Sequence, residues 1–223
     1  MTSLVVATGN VSATEQESDP ADATTTTTTI PPVIKKSDVK VVYNVKTRDK
    51  VVFITIDDGF YATPELARII RRYKVPITTF AMPRLVERDK KWFLSKKNMT
   101  FENHTITHRS MTPLSVAGQK REICGANRQL KKTTGVSPVF FRPPGGNWNE
   151  KTRAAVAACG MKHIVMWNAI AEKGQLRIPG GKLERGDIIL MHYIPSVAPT
   201  LELLLKKIKN DGLKPALLRD YLR

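Results

Sequence analysis

The residues of this chain that could do chemistry follow apolar segments. Asp57 and Asp58 directly follow one apolar run, and His192 ends a later one. His104 and His108 lie between them, four positions apart. One carboxylate and two neutral imidazoles suit a divalent metal that keeps a coordination position open for water or substrate. A second carboxylate and a third histidine are then left for proton transfer, so this set predicts metal-assisted hydrolysis.

Each of these features also has a common explanation without chemistry. A strand that ends in Asp-Gly is usually a turn, and a single histidine or arginine is usually a packed or ion-paired residue. His104 and His108 are more informative together, because on a helical turn both would face the same way and could bind one ion. The fourth histidine, His163, has no partner motif and is predicted to be a core residue.

The elements that position these residues alternate between strands and helices. The apolar run at residues 51–56 is typical of a strand buried on both faces. Further strands are predicted at residues 77–81, 99–101, 139–141, 163–166, 188–191 and 213–216, and helices at residues 63–73, 112–131, 149–158 and 200–209. Such alternation predicts an α/β fold with a parallel sheet or barrel, in which functional residues gather at the carboxyl ends of strands.

The first 40 residues are predicted to be a flexible linker. Residues 24–29 are six consecutive threonines, two prolines follow, and the first 34 residues contain no Lys or Arg. The stretch from Leu4 to Ala13 is either the remnant of an export signal or a chance likeness to one. A linker of this composition favours an exported protein, outside the cell or in its envelope. Residues 41–223 then form one catalytic domain, which we expect to be monomeric.

The chain is strongly basic, with 36 basic and 20 acidic residues and a formal charge of +16. This charge indicates either a well-solvated surface or attraction to a polyanion. No nucleic-acid motif accompanies it, so we expect no nucleic-acid partner and favour an anionic cell-wall polymer. No apolar run is long enough to predict a transmembrane segment. Cys124 and Cys159 permit one disulfide, although isolated cysteines also serve as small apolar residues.

Four motifs in a fixed order resemble those of the NodB-homology domain of polysaccharide deacetylases, which is carbohydrate esterase family four. The family's Thr-Phe-Asp-Asp-Gly motif corresponds to residues 55–59, and its His-Ser/Thr-x-x-His motif to residues 104–108. Its Arg-x-Pro motif corresponds to residues 142–144, and its Leu-x-His motif to residues 190–192. The resemblance covers about residues 45–223 and implies a distorted (β/α) barrel with about seven parallel strands.

The resemblance also implies roles for these residues. Asp58, His104 and His108 would bind the divalent metal, zinc in most members of the family, with Co²⁺ or another divalent metal as alternatives. Asp57 would be the general base and Arg142 its ion-pair partner. His192 would be the acid that protonates the leaving amine. Pro144, Gly145 and Leu190 would bind the substrate. The Gly145 N–H would face the acetyl oxygen, and Leu190 would line the acetyl pocket.

One motif departs from the family pattern. The family has an acidic stretch where this chain reads Trp-Asn-Ala-Ile-Ala-Glu-Lys at residues 167–173, and the acid that orients the catalytic histidine is missing there. Glu172 and Trp148 are the candidate replacements. The resemblance implies a metal-dependent hydrolase that removes N-acetyl groups from an acetylated polysaccharide, either peptidoglycan or a chitin-like glycan. The alternatives are an O-acetyl esterase acting on a polysaccharide such as xylan, and a non-catalytic basic glycan- or polyanion-binding protein.

Overall fold

The computed structural model describes residues 1–5 and 34–222, and the chain divides into two units, Met1–Pro32 and Val33–Arg223. Residues 1–5 of the first unit are exposed and have no regular secondary structure. The helices of the second unit are α1 (Pro64–Tyr73), α2 (Pro83–Arg88), α3 (Lys90–Leu94), α4 (Val116–Thr134), α5 (Glu150–Ala158) and α6 (Val197–Asn210). Its strands are β1 (Lys40–Val42), β2 (Val51–Asp58), β3 (Ile77–Ala81), β4 (Met99–Asn103), β5 (Phe140–Phe141), β6 (His163–Val165), β7 (Ala169–Glu172), β8 (Gln175–Arg177), β9 (Ile188–His192) and β10 (Lys214–Pro215).

The strands form one curled sheet in the order β1-β6-β5-β4-β3-β2-β9-β7-β8, and β10 pairs with β2. Every neighbouring pair along this order is parallel except β7 and β8, which are antiparallel. Helices follow β2, β3, β4, β5 and β9, as in other parallel α/β folds. The predicted fold, a distorted barrel of mostly parallel strands, is therefore confirmed, and the parallel run contains eight strands where about seven were expected.

Strand β2 lies at the centre of the sheet and is buried on both faces, as its continuous apolar sequence predicts. The side chains of Val52, Ile54 and Ile56 join the apolar cluster that includes residues of α1 and α6. On the opposite face, Phe53 packs in a second cluster with Phe80 and Phe140 from neighbouring strands. Because side chains alternate along a strand, Asp57 lies on the same face as Phe53. The barrel interior is thus apolar at the start of β2 and polar at its end.

The folded domain begins earlier than the predicted boundary at residue 41. Residues Lys36–Asp38 form a 3₁₀ turn, and Val39 is 2% exposed in an apolar cluster that contains residues of α5. Ile34 packs against the same cluster. Placing residues 34–40 in the linker is therefore wrong, because two apolar side chains in this short segment reach the core. Residues 6–33, the rest of the predicted linker, lie outside the described residues.

Local start signals predicted the helices unevenly. Helix α1 begins as expected, with Thr63 Oγ1 accepting the N–H of Leu66 at 3.2 Å and proline at the first helical position. The helix predicted to begin near Thr112 instead begins at Val116. The hydroxyl of Ser115 caps it by accepting the N–H of Gly118 at 3.1 Å, while the residues before it form a turn. The short elements β1, α2, α3, β7 and β8 were not predicted.

A disulfide between Cys124 and Cys159 links α4 to the residue that directly follows α5. This resolves the two readings of the cysteines in favour of a bridge. His163 is buried in β6, and its ring meets the ring of Phe140 edge-on at a centroid distance of 5.7 Å. This packing agrees with the prediction of a core histidine. Within residues 1–5 and 34–222, no helix has the length and apolar character needed to cross a membrane.

Candidate active site

The chemically important residues meet at the carboxyl ends of the central strands because the strand register brings those ends level. Asp57 of β2 lies opposite His192 of β9, and Asp58 lies opposite Ala81 of β3. The register continues through Ala81 to Asn103 of β4, the residue before His104. Residues more than 130 positions apart in sequence therefore share one edge of the sheet.

Arg142 is fully buried, and each of its three guanidinium nitrogens donates at least one hydrogen bond. Its Nη1 contacts Asp57 Oδ1 at 2.7 Å and donates to Thr55 Oγ1 at 2.8 Å. Nε and Nη2 donate to the carbonyl oxygens of Val165 and Met166, both at 3.0 Å. Burial lowers the pKa of Arg142, and the neighbouring Asp57 opposes that change. The guanidinium is thus held in one orientation and supplies the countercharge for Asp57.

Asp58 reaches the same site as Asp57 because the chain turns there. Consecutive side chains of an extended strand point to opposite faces. Asp58, however, has a φ of 81°, a left-handed conformation that costs a non-glycine residue roughly 1–2 kcal/mol. Gly59 continues the turn with a φ of 120°. The Asp-Gly pair is therefore a turn, and that turn brings the second carboxylate toward the histidines.

Asp58, His104 and His108 offer three ligand atoms that lie within 4.8 Å of one another. Asp58 Oδ1 is 3.2 Å from His108 Nε2 and 3.7 Å from His104 Nε2. Two ligands at roughly 2.0–2.1 Å from a tetrahedral zinc ion lie about 3.3 Å apart, between these two distances. Asp58 Oδ1 is buried and accepts no hydrogen bond from the residues the structure describes. A buried carboxylate oxygen without a donor fits a cation site.

The hydrogen bond that His104 makes through Nδ1 determines that its other ring nitrogen, Nε2, faces the Asp58 carboxylate. His104 Nδ1 lies 2.8 Å from the carbonyl oxygen of Arg142, so Nδ1 carries the proton that it donates there. Nε2 then presents its lone pair toward Asp58, which is the usual arrangement for a metal-binding histidine. Burial lowers the pKa of His104, although Asp57 and Asp58 oppose this. The neutral imidazole, the form that binds metals, is therefore favoured.

The two histidines do not share a helical turn, so that part of the sequence prediction is wrong. Residues 104–110 form an irregular loop, in which Thr105 and His108 have φ values of 68° and 60°. The N–H groups of Thr105 and His108 donate to side-chain oxygens instead of the carbonyls of a helix. The rings still approach each other, with centroids 5.0 Å apart.

His192 has an acidic neighbour despite the altered motif. Strand β7 pairs with β9 so that Ile170 lies opposite Leu190, and the same register carries Glu172 to the level of His192. Glu172 Oε1 lies 3.0 Å from His192 Nδ1. The two atoms are at ion-pair distance, although His192 Nδ1 makes no hydrogen bond with the residues that the structure describes. Glu172 is thus the candidate that reaches the histidine, whereas Trp148 packs beside α5.

The predicted substrate-binding residues lie around this edge of the barrel. Pro144 and Gly145 belong to a 3₁₀ turn that directly follows Arg142 and Pro143, and Gly145 is exposed with a φ of 65°. A side chain on the next residue, Gly146, would meet the ring of Trp167 at 2.9 Å. Leu190 is buried and shares a strand face with His192, two positions later. Their roles in binding remain predictions.

Two residues that contribute to the site have no role predicted from the sequence. Thr55 lies in the first motif, and its hydroxyl accepts a hydrogen bond from Arg142 and donates to the Ile189 carbonyl of the neighbouring strand at 2.7 Å. A threonine inside an otherwise apolar strand was the available signal. Glu122 of α4 was missed entirely, although its carboxylate accepts three hydrogen bonds from the loop that carries the histidines. Nothing in the local pattern of α4 marks it.

Several known proteins are similar to this chain along most of its length. An uncharacterized protein of Streptomyces coelicolor is 33% identical over 216 residues, covering 92% of this chain and 82% of its own length. A peptidoglycan-N-acetylglucosamine deacetylase of Bacillus cereus is 24% identical and covers 82% of this chain and 93% of its own. A carbohydrate esterase family four pseudoenzyme from Bacillus anthracis shares the fold, with a TM-score of 0.71 and 22% identity over 82% of this chain and 69% of its own.

The match to a family model covers the first part of the site. The model of the polysaccharide deacetylase family matches residues 44–164, more than half of the chain. This range contains both aspartates, both clustered histidines and Arg142. His192 and Glu172 lie beyond it and are placed beside the other site residues by the parallel pairing of β9 with β2 and β7. The chain therefore belongs to the polysaccharide deacetylase family.

Proposed function

We propose that this protein removes N-acetyl groups from an amino-sugar polymer by metal-assisted hydrolysis. The observation that carries the proposal is the contact between two parts of the site. Asp57, which is paired with the buried Arg142, has its other oxygen 3.8 Å from Nε2 of His104. His104 in turn faces Asp58 Oδ1. A carboxylate suited to proton transfer thus lies directly beside the three proposed metal ligands.

Asp57 is the proposed general base. Its Oδ1 is occupied by Arg142, which leaves Oδ2 to take a proton from the attacking water. The proposed metal ligands are Asp58, His104 and His108, and a divalent metal bound there would lower the pKa of water and polarise the acetyl carbonyl. Zinc suits one carboxylate and two imidazoles, and Co²⁺ would suit the same donors. A positioned base of this kind contributes about 10²- to 10⁴-fold to the rate.

His192 is the proposed general acid, which donates a proton to the nitrogen that leaves the acetyl group. It stands opposite Asp57 on the adjacent strand, so base and acid approach the substrate from neighbouring positions. Glu172 lies on the Nδ1 side of the ring and would stabilise the imidazolium form. The side chain of His192 is 30% exposed, so a substrate can reach it from solvent.

The acetyl group is proposed to bind between Leu190 and the turn at Pro144 and Gly145. A backbone N–H such as that of Gly145 can stabilise the charge that develops on the carbonyl oxygen, and one such donor is worth about 3 kcal/mol. The left-handed φ of Gly145 sets the direction of the peptide in this turn. Leu190 offers an apolar surface for the methyl group on the same face as His192.

Peptidoglycan and chitin-like glycans are the proposed substrates. The named relatives include a peptidoglycan deacetylase and a chitooligosaccharide deacetylase of Rhizobium leguminosarum, the latter 27% identical over 74% of this chain. The formal charge of +16 favours a polymer in an anionic setting such as a bacterial cell wall. A protein that acts there must be exported, which the Thr- and Pro-rich composition before residue 34 also favours.

The decisive test is release of acetate by zinc- or cobalt-loaded protein from acetylated chitooligosaccharides, peptidoglycan fragments and acetylated xylan. We expect release from the first two, and loss of it on treatment with a chelator, restored by added metal. The His192→Ala variant is the matched control for background hydrolysis. Release from acetylated xylan alone would support an O-acetyl esterase instead. Equal, near-background release by wild type and His192→Ala, together with glycan binding, would support a non-catalytic binding protein.

A further inference from the structure

The loop that carries His104 and His108 is not held by regular secondary structure. Its Thr105 and His108 adopt left-handed backbone conformations that L-residues rarely occupy. Residues in such conformations persist where surrounding contacts determine them. The position of the two imidazoles therefore depends on what binds this loop.

Side-chain oxygens bind four successive backbone N–H groups of the loop. Asn103 Oδ1 accepts the N–H of Thr105 at 2.9 Å, and Thr105 Oγ1 accepts the N–H of His108 at 3.0 Å. The two N–H groups between them both donate to Glu122 Oε2, from residue 106 at 3.0 Å and from Thr107 at 2.9 Å. The other carboxylate oxygen of Glu122 accepts the Thr107 hydroxyl at 2.9 Å. Glu122 is thus the only one of these acceptors outside the strand end and the loop itself.

Helix α4 holds the loop at two further points. Asn103 donates to the Ile123 carbonyl at 2.7 Å and to Asn127 Oδ1 at 2.6 Å, which fixes the start of the loop against the helix. Ile106 packs directly over Gly125, where an added Cβ would come within 2.5 Å of its Cδ1. The loop therefore rests on α4 through a carboxylate, an amide pair and an apolar contact.

We propose that Glu122 is a positioning residue for the metal site. It fixes the backbone between His104 and His108 and thereby sets the spacing at which their Nε2 atoms face Asp58. Loss of groups that orient metal ligands typically weakens metal binding by about 10- to 100-fold. The inference rests on the proposed function, because it assigns Glu122 to the same metal site.

The test compares metal affinity in Glu122→Ala, Glu122→Gln and a matched control. Glu202, a half-buried glutamate on α6, provides the control as Glu202→Ala. Affinity for Zn²⁺ and Co²⁺ is measured by competition with a chelating dye, and the melting temperature and the hydrogen exchange of amides 106 and 107 are measured on metal-free protein. We expect about 10- to 100-fold weaker binding in Glu122→Ala. Glu122→Gln, which keeps one acceptor oxygen, should lose less, and Glu202→Ala should match wild type.

The outcomes separate this inference from the proposed function. Faster exchange at amides 106 and 107 together with weaker metal binding supports positioning by Glu122. A lower melting temperature with unchanged metal affinity overturns it in favour of a purely structural role, and so does unchanged affinity with unchanged exchange. If Glu122→Ala does not fold, the same criteria apply to Glu122→Gln. Wild-type protein that binds neither metal overturns the proposed metal-dependent function itself, whereas normal binding by wild type and both Glu122 variants overturns only the inference.

Discussion

Asp57 and Asp58 are adjacent and chemically identical, so their environments alone distinguish them. Asp57 ends the regular part of β2, where the buried guanidinium of Arg142 occupies one of its oxygens. Asp58 follows in a left-handed conformation, and its buried Oδ1 faces the two histidines. A single change of backbone direction therefore gives the two carboxylates different surroundings, and these are the basis of the proposal that Asp57 transfers protons and Asp58 binds the metal.

Matched Asp→Asn substitutions should separate these two roles. Asp57→Asn removes the proton acceptor and should lower turnover by at least about 10²-fold, while zinc affinity stays near that of wild type. Asp58→Asn removes a charged ligand and should weaken zinc binding by more than the roughly 10- to 100-fold that loss of an outer-shell partner costs. Metal titration and acetate release on the same preparations measure both effects. Equal loss of metal in the two variants would contradict the assignment.

Glu172 provides the second residue-level prediction. Because its carboxylate lies 3.0 Å from His192 Nδ1, Glu172→Gln should slow turnover by removing the charge that stabilises the imidazolium. The loss should be smaller than the 10²- to 10⁴-fold expected, to an order of magnitude, for His192→Ala, because the acid itself remains. Metal affinity should not change. Glu184→Gln, a substitution of an exposed glutamate before β9, serves as the control. Wild-type turnover in Glu172→Gln would show that Glu172 does not act through His192.

At the scale of elements, the sequence predicted best where one local signal decided the outcome. The apolar run of β2 could only be a buried strand, and Thr63 with Pro64 defined the start of α1. The start of α4 was misplaced because Ser115 and Thr112 offer similar capping groups three residues apart. Glu172 could not be assigned to His192 from its own position, since the contact depends on how the short strand β7 pairs with β9. Each motif consists of residues that are close in sequence, whereas the contacts that orient those residues join parts of the chain that are distant in sequence.

The disulfide between Cys124 and Cys159 is predicted to stabilise the contact between two elements of the fold. It joins α4, which supports the histidine loop, to the end of α5 across 35 positions of sequence. Closing a loop of that length in the unfolded chain corresponds to a stabilisation of about 3 to 4 kcal/mol in the chain-entropy description. The double variant Cys124→Ser with Cys159→Ser should therefore unfold at lower denaturant concentration than wild type. A reducing agent should destabilise wild type and leave the double variant unchanged. Equal unfolding midpoints for all samples would contradict a stabilising bridge.

At the scale of the whole molecule, charged residues and buried apolar residues are unevenly distributed along the sequence. All four acidic residues of the first 34 positions lie in a segment without Lys or Arg, so the rest of the chain carries about +20 by formal count. The composition of the first segment predicted a boundary at residue 41, several residues too late. Ile34 and Val39 pack against an apolar cluster that includes residues of α5, and this contact with a distant part of the sequence is not visible in the local pattern.

Two truncations should locate the true boundary of the folding unit. Deletion of residues 1–33 should leave the free energy of unfolding within error of wild type, because Thr- and Pro-rich sequence has no apolar face to bury. Deletion of residues 1–42 also removes β1 and the buried Val39. The resulting loss in the free energy of unfolding should exceed the roughly 1.5 to 3 kcal/mol that burial of one such side chain contributes. Removal of β1 exposes the edge of β6 as well, since these strands pair directly. Chemical denaturation of both truncated proteins measures the difference.

Equal stability of the two truncated proteins would mean that residues 34–42 add nothing to the core. A large loss of unfolding free energy in the shorter deletion would place part of the folding unit before residue 34.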